Sequence, residues 1–175
     1  APNGSKWLQM APNRSKSLIN NKFHHYYLHG RSKGIALMSR TPPVHTTRFQ
    51  SENCSLLKAS YIGYDIINIY RFASSTQVQE FTGEVLLHLD PGKTTVVLTD
   101  SNLDYIKCPD NFFTTSLEQR GFKQIVTTPT HILGALLDHI YFYSPSPEAS
   151  CMLYKAHGVF WSDHTCIAAI LKTNS

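Results

Sequence analysis

The sequence predicts an α+β protein, an α/β sandwich of four-layer type in which two mixed β-sheets pack face to face with flanking helices outside. Three observations favour this fold class. Segments typical of strands outnumber those typical of helices, a tight link joins two of the strand-like segments, and the helix-like segments lie between strands. With 175 residues, 42% of them hydrophobic, the chain is long enough for one domain with a substantial core.

Apolar and β-branched runs mark the expected strands. They are GIALMS (34–39), SLLKASY (55–61), YDIINIYRF (64–72), TTVVLT (94–99), KQIVT (123–127), ALLDHIYFYS (135–144), SCMLYKA (150–156) and CIAAILK (166–172). Ile62 and Gly63 form a tight link that predicts an antiparallel hairpin, and the wholly apolar run at 94–99 predicts a central strand. The prolines of TPPVH (41–45) predict a break after the first strand. FHHYYLHGRSK (23–33) predicts a polar surface strand or loop.

Two segments have helical patterns. In SSTQVQEFTGEVLLHLD (74–90), apolar residues recur every three or four positions after a polar start. FFTTSLEQRGF (112–122) is typical of a short helix that Gly121 ends. Both are therefore expected to lie between strands, outside the sheets.

Positive charge is concentrated near the start of the chain. Residues 1–50 contain eight Lys or Arg and no Asp or Glu, and the first carboxylate is Glu52. Residues 1–22 form a basic, partly loop-like segment in which APNGSK returns as APNRSK. A basic segment beside a more acidic body predicts contact with DNA or another polyanion, and a merely solvated basic face is the alternative.

Cysteine usage and hydropathy give little information about the cellular compartment of the protein. No apolar run approaches the roughly 18 residues of a membrane helix. No two of the four cysteines (Cys54, Cys108, Cys151, Cys166) form a C-x-x-C pair. Scattered cysteines are typical of free thiols, which slightly favours an intracellular protein, while two disulfides and a secreted protein stay open. No sequence feature indicates an oligomeric state.

Polar residues lie at the ends of several expected strands or just past them. They are Tyr70 in NIYRF, Asp100 and Asn102 in LTDSN, Asp138 in LLDHIY, and Asp163 and His164 in WSDHT. Singly, each is an ordinary turn-forming or polar residue. Together, in this order and with these flanking residues, they indicate a site at one edge of the sandwich.

These motifs resemble those of the endonuclease/exonuclease/phosphatase superfamily, which includes deoxyribonuclease I and the apurinic endonucleases. TDSN (99–102) is similar to the family's G-D-x-N, LDHI (137–140) to (I/L)-D-(Y/H)-(I/V), and SDHTCI (162–167) to S-D-H-x-x-(I/V). GIALMSR looks like GVALLSR, and IYRF like Y-x-P. The stretch at 121–144 is similar to the endonuclease domains of non-LTR retrotransposons. The resemblance covers roughly residues 7–172 and implies a deoxyribonuclease-I-like domain over residues 23–175.

The resemblance implies a metal-dependent phosphodiesterase, a DNA endonuclease of retrotransposon type. Asp100 would position or deprotonate the attacking water, helped by the amide of Asn102. His164, oriented by Asp138, would bind the phosphate or transfer a proton, and Tyr70 would donate to a phosphate oxygen. Asp163 would support Mg²⁺ or Mn²⁺.

Several positions depart from the family's pattern. The metal-binding Glu of the family's L-Q-E-T motif falls on Met10 of WLQMAPN, and a thioether is a poor ligand for a hard cation. The family's first-strand Asn would precede Trp7, where no similar residues stand, and Thr99, Ser101 and Phe72 also differ from the motifs. The sequence therefore predicts a weakened or inactive nuclease. The alternatives are a non-catalytic binding or structural protein on the same fold, and a fragment whose first strand comes from elsewhere in a longer chain.

Overall fold

The computed structural model describes residues 6–9, 23–28, 34–159 and 161–173. The strands of these residues are β1 (Lys6–Gln9), β2 (His24–Leu28), β3 (Ile35–Ser39), β4 (His45–Gln50), β5 (Cys54–Tyr61), β6 (Tyr64–Arg71), β7 (Thr94–Asp100), β8 (Lys123–Gln124), β9 (Asp138–Tyr143), β10 (Ser150–Gly158) and β11 (Thr165–Lys172). The helices are α1 (Val78–Leu86) and α2 (Phe112–Glu118).

A six-stranded mixed sheet, with strand order β4-β5-β6-β7-β9-β8, forms the centre of the fold. Strands β6 and β7 are parallel, and the remaining neighbours are antiparallel. The apolar run that predicted a central strand is β7, whose first six residues are buried. Because β6 and β7 run in the same direction, their carboxyl ends reach the same edge of the sheet.

Two smaller antiparallel sheets cover one face of the large sheet. One has the order β1-β11-β10, and the other pairs β2 with β3. Leu37 of β3 and Ile167 of β11 share a buried core with Leu57, Val96 and Ile140 of the large sheet. The large sheet is mixed, as predicted, whereas the small sheets are antiparallel within the described residues.

Helices α1 and α2 pack on the opposite face of the large sheet. Phe81 of α1 and Phe113 of α2 lie in a second buried cluster with Ile69, Val97 and Tyr141. The α2 helix is capped by Asn111, whose side chain accepts a hydrogen bond from the Thr114 amide. Helices outside packed sheets confirm the predicted α+β class.

Several elements differ from the sequence prediction. Strand β1 lies within residues 1–22, which were expected to be partly loop-like. Strand β4 was missed, because an edge strand with polar, partly exposed residues lacks the apolar signal used to find the others. Strand β8 is shorter than predicted. Strand β9 begins at Asp138 and not at residue 135, because the amides of Thr130 and His131 donate to the Ala135 carbonyl and form a turn there.

None of the four cysteines, all of which lie in the described residues, forms a disulfide. Among the described helices, none combines the length and apolar character needed to span a membrane.

Candidate functional site

Three of the predicted residues form a row across the edge of the large sheet. Tyr70 of β6 pairs with Asp100 of β7, and Asp100 pairs with Asp138 of β9. Paired residues project to the same face of a sheet. Two positions further into the strands, Leu98 and Ile140 lie in the core between the sheets. The row therefore lies at the edge of the interior face, where the smaller sheet that contains β11 meets the large one.

His164, which directly precedes β11, reaches this row from the other sheet. Its Nδ1 lies 2.7 Å from Asp138 Oδ2, and Asp138 is only 6% exposed. The hydrogen bond with Asp138 is the main cause that raises the pKa of His164 to about 9. At neutral pH His164 is therefore a cation with its ring oriented by Asp138, a state that suits binding to an anionic group.

Asp100 carries poorly compensated negative charge. Burial, followed by the charge of Asp138, raises the pKa of Asp100 to about 6, although His164 and the Asn102 amide act in the opposite direction. Burial and the charge of Asp100 also raise the pKa of Tyr70. A second cation bound near Asp100 would relieve this repulsion.

The turn that follows Asp100 is held against the end of β6. Asn102 adopts a left-handed conformation with φ of 50°, which asparagine tolerates better than most residues. Its Nδ2 donates to the Arg71 carbonyl at 2.7 Å, and its amide donates to Asp100 Oδ1 at 3.2 Å. In return, Nη1 of the buried Arg71 donates to the Ser101 carbonyl at 3.3 Å. The backbone and side-chain amides of Asn102 are thus both engaged in the turn, and Arg71, which no sequence motif marks, supports it.

Asp163 and His131 meet beside His164. The Asp163 side chain is 66% exposed, and its Oδ2 lies 3.5 Å from His131 Nε2. The rings of His131 and His164 are nearly perpendicular, with centroids 5.1 Å apart. His131 could not be recognised from the sequence, because no local pattern relates it to a histidine that lies far along the chain.

The described residues provide groups that can hold a metal ion. Potential ligand atoms of Asp100, Asp138 and His164 lie within 4.8 Å of one another, and so do those of His131, Asp163 and His164. Mg²⁺ prefers an octahedral shell of oxygen atoms. Each group includes an imidazole, and Asp138 is already engaged by His164, so these residues alone do not fit a complete Mg²⁺ site. Met10, the position where the resemblance expects a Glu, lies outside the described residues.

Comparison with solved structures finds proteins of similar fold. CdtB, described as the biologically active subunit of cytolethal distending toxin, superposes with a TM-score of 0.59 at 17% identity, covering 78% of this chain and 60% of CdtB. An endonuclease/exonuclease/phosphatase family protein from Leptotrichia buccalis gives 0.55 at 12%, covering 88% and 74%. The endonuclease domain of TRAS1, a telomere-specific non-LTR retrotransposon, gives 0.56 at 9%, covering 87% and 80%. No protein-family model and no curated protein sequence matches the chain significantly.

The fold is therefore that of the endonuclease/exonuclease/phosphatase proteins, which confirms the resemblance at the level of the fold. The chain spans about 60% of the length of CdtB. The roles of Tyr70, Asp100, Asn102, Asp138, Asp163 and His164 stay predictions.

Replacing Asp100 with asparagine is expected to stabilise the folded chain. The pKa of Asp100 is raised from 3.8 to about 6 on folding, so the wild type loses stability as the pH rises from 3.8 through about 6. The asparagine variant lacks this loss, and we expect a gain of about 1 to 3 kcal/mol at pH 7 that disappears near pH 4. Urea unfolding in EDTA measures the difference, with Asp110→Asn as the exposed control. A gain that does not change with pH would contradict the prediction.

Proposed function

We propose that the chain is a phosphodiester hydrolase of DNA endonuclease type in which the proton-transferring residues are assembled and the metal site is incomplete. The observation that carries this proposal is the 2.7 Å contact between His164 and Asp138, in the same row as Asp100. The likeness of the fold to the TRAS1 endonuclease domain supports the same class of reaction.

Each residue of the row has a role that its surroundings support. His164, as an imidazolium held by Asp138, would bind a phosphate oxygen and stabilise the charge that develops in the transition state. Tyr70 would donate its hydroxyl to a second phosphate oxygen. Asp100, with a pKa of about 6, would accept a proton from the attacking water. Asn102 would keep Asp100 in place through its amide.

The expected activity is weak, because the carboxylate that the resemblance requires is replaced by Met10. Mg²⁺ or Mn²⁺, the cofactors that the resemblance implies, would find Asp100 and Asp163 without this third carboxylate. A loosely held ion would place the phosphate poorly, and misplacement by about 1 Å can cost on the order of a hundredfold in rate. The same feature favours the alternative, a non-catalytic binding protein on this fold.

Plasmid nicking with and without Mg²⁺ or Mn²⁺ tests the proposal. We expect slow nicking by the wild type, its loss in Asp163→Ala, and an increase of about tenfold in Met10→Glu, since a restored carboxylate would strengthen metal binding. Met152→Glu, at an exposed methionine, is the matched control. Robust Mg²⁺-dependent nicking by the wild type, abolished by Asp163→Ala, would show that the metal site is complete. Absence of nicking in every variant would favour the non-catalytic alternative.

DNA, or another polyanion, is the proposed partner of the basic residues in 1–50. Because phosphate contacts release counterions, affinity is expected to fall steeply with salt. Replacing Arg14, Lys16 and Lys22 with glutamine should reduce the slope of log K against log salt by about 2 to 3, close to one per contact removed. Fluorescence anisotropy with a DNA duplex measures this slope, and glutamines at the exposed Lys107, Lys123 and Lys155 provide the control. Equal slopes in the two variants would exclude the N-terminal segment as the binding surface.

A further inference from the structure

One histidine at the candidate site has no role in the proposed hydrolysis. His131 lies in the turn before β9, and its side chain is only 17% exposed. It faces both Asp163 and His164, and the three side chains bring potential ligand atoms within 4.8 Å of one another. We propose that His131, Asp163 and His164 bind a transition-metal dication of the Zn²⁺ type.

The distance between His131 and Asp163 matches that of two ligands of one ion and is long for a direct hydrogen bond. Their Nε2 and Oδ2 atoms are 3.5 Å apart, beyond the usual range of about 2.7 to 3.2 Å for a hydrogen bond from N–H to oxygen. Two donor atoms bound to one tetrahedral Zn²⁺, each at about 2.0 to 2.2 Å, lie roughly 3.4 Å apart. The observed separation is therefore close to that of two ligands of the same ion.

His164 is oriented as metal-binding histidines commonly are. Its Nδ1 is bound to Asp138, which leaves Nε2 as the ring nitrogen for the ion. A carboxylate that holds the second nitrogen of a ligating histidine fixes the ring and makes it a stronger ligand. Asp138 would act in this way without contacting the metal.

The backbone holds the two histidine segments together before any ion binds. His131 and His164 form an isolated β-bridge, and the Thr165 amide donates to the Thr130 carbonyl at 2.6 Å. The Ile132 amide donates to the Asp163 carbonyl at 2.8 Å. To complete the site, the Asp163 side chain has to move, and it can rotate toward the ion because it is exposed.

Binding has two visible costs. The ring of His164, held as a cation by Asp138 at neutral pH, must release the proton on Nε2 so that this nitrogen can bind an ion. The Leu133 amide donates to His131 Nδ1 at 3.2 Å, so His131 must move its proton to Nδ1 and give up this hydrogen bond before Nε2 can bind an ion. The bond is local, exposed and close to the upper limit of length, and its loss is small beside a metal–nitrogen bond.

The ligand set selects the class of ion. Imidazole suits Zn²⁺, Co²⁺ and related ions, whereas Mg²⁺ favours oxygen ligands alone. Three protein ligands leave a fourth tetrahedral position for water or a phosphate oxygen. Asp163 and His164 also serve the proposed hydrolysis, so a bound Zn²⁺ would compete there with Mg²⁺ and with the phosphate. The geometry of the three side chains supports the Zn²⁺ site by itself, and metal titration without DNA tests it separately from nicking.

Metal titration of the full chain tests the proposal. Zn²⁺ is followed by calorimetry and Co²⁺ by its visible absorption, which is intense when coordination is tetrahedral. Affinity should fall at least about tenfold in both His131→Ala and Asp163→Asn. His45→Ala is the matched control. His45 is an exposed histidine, and it lies at the opposite edge of the large sheet from Tyr70 and Asp100. Excess Mg²⁺ should leave the Co²⁺ spectrum unchanged.

Three results would overturn the proposal. They are the absence of Zn²⁺ binding by the wild type, an affinity of either His131→Ala or Asp163→Asn within threefold of that of His45→Ala, and displacement of Co²⁺ by Mg²⁺. Circular dichroism of each variant confirms folding, and Asp163→Asn changes a side chain that is 66% exposed, so its effect reports ligation and not stability.

Discussion

Replacing His164 with alanine is expected to lower the free energy of unfolding by about 3 kcal/mol at pH 7, because it leaves a buried carboxylate without its cationic partner. Asp138 is 6% exposed, and His164 Nδ1 contacts it at 2.7 Å. We expect a loss of stability at the lower end of the range for broken buried ion pairs, since the His164 side chain is 30% exposed and its removal admits water. Urea unfolding measures the loss.

The pH dependence of this loss provides a second measurement. The pKa of His164 is raised from 6.5 to about 9 on folding, so its contribution is fully present below pH 6.5 and is lost as the pH rises through about 9. The difference between wild type and variant should shrink over that interval.

A double variant separates the charge effect from lost packing. In His164→Ala with Asp138→Asn, most of the stability should return, because an amide needs no countercharge. His157→Ala, at an exposed histidine, should stay within about 0.5 kcal/mol of the wild type. The interpretation fails if His164→Ala also stays within this margin, or if the double variant is less stable than the single one.

The row of site residues could be predicted only in part from the sequence. Asp100 and Tyr70 lie at or near the ends of clearly marked strands, whereas Asp138 lies inside the strand-like segment 135–144, and only the structure shows that it begins β9. The run at 94–99 ends directly before Asp100, and the strand-like segment at 64–72 contains Tyr70. Once strands are parallel neighbours, their carboxyl ends must lie at one edge of the sheet. The contact between Asp138 and His164, by contrast, was expected from the family resemblance and not from spacing.

Features that depend on contacts distant along the chain could not be predicted in this way. The position of His131 beside His164 results from a turn at Gly134, with φ of 83°, and from an isolated bridge to the segment before β11. Strand β4 has no apolar face to mark it, because it forms the edge of the sheet. In the sequence, Arg71 is only one residue of a strand-like segment, and the folded structure is needed to show its contact with the Ser101 carbonyl.

The ion pair formed by Lys58 and Asp65 is another contact that the sequence pattern does not predict. Both residues lie in strands that the sequence marks clearly, but neither was singled out as a buried charge. Alternation along a strand predicts which face a side chain occupies, and it does not predict which charges become buried together.

Replacing Lys58 with methionine is expected to cost about 3 kcal/mol, because Asp65 is fully buried and depends on cations for its compensation. Lys58 Nζ lies 2.7 Å from Asp65 Oδ2 and donates to the His88 carbonyl at 2.8 Å. Lys93 is the second cation, but its Nζ is 3.7 Å from Asp65 Oδ1 and its side chain is 41% exposed. Methionine keeps most of the apolar stem of lysine and removes the charge, so urea unfolding reports the loss of the ion pair.

The exposed pair of Lys107 and Asp104 supplies the matched control for Lys58→Met. Its atoms are 3.6 Å apart and the Lys107 side chain is 83% exposed, so Lys107→Met should change stability by less than about 1 kcal/mol. Adding Asp65→Asn to Lys58→Met should restore much of the stability, because the buried group is then neutral. Equal effects of Lys58→Met and Lys107→Met would show that Asp65 is compensated by Lys93 or by water and that its burial does not make Lys58 essential.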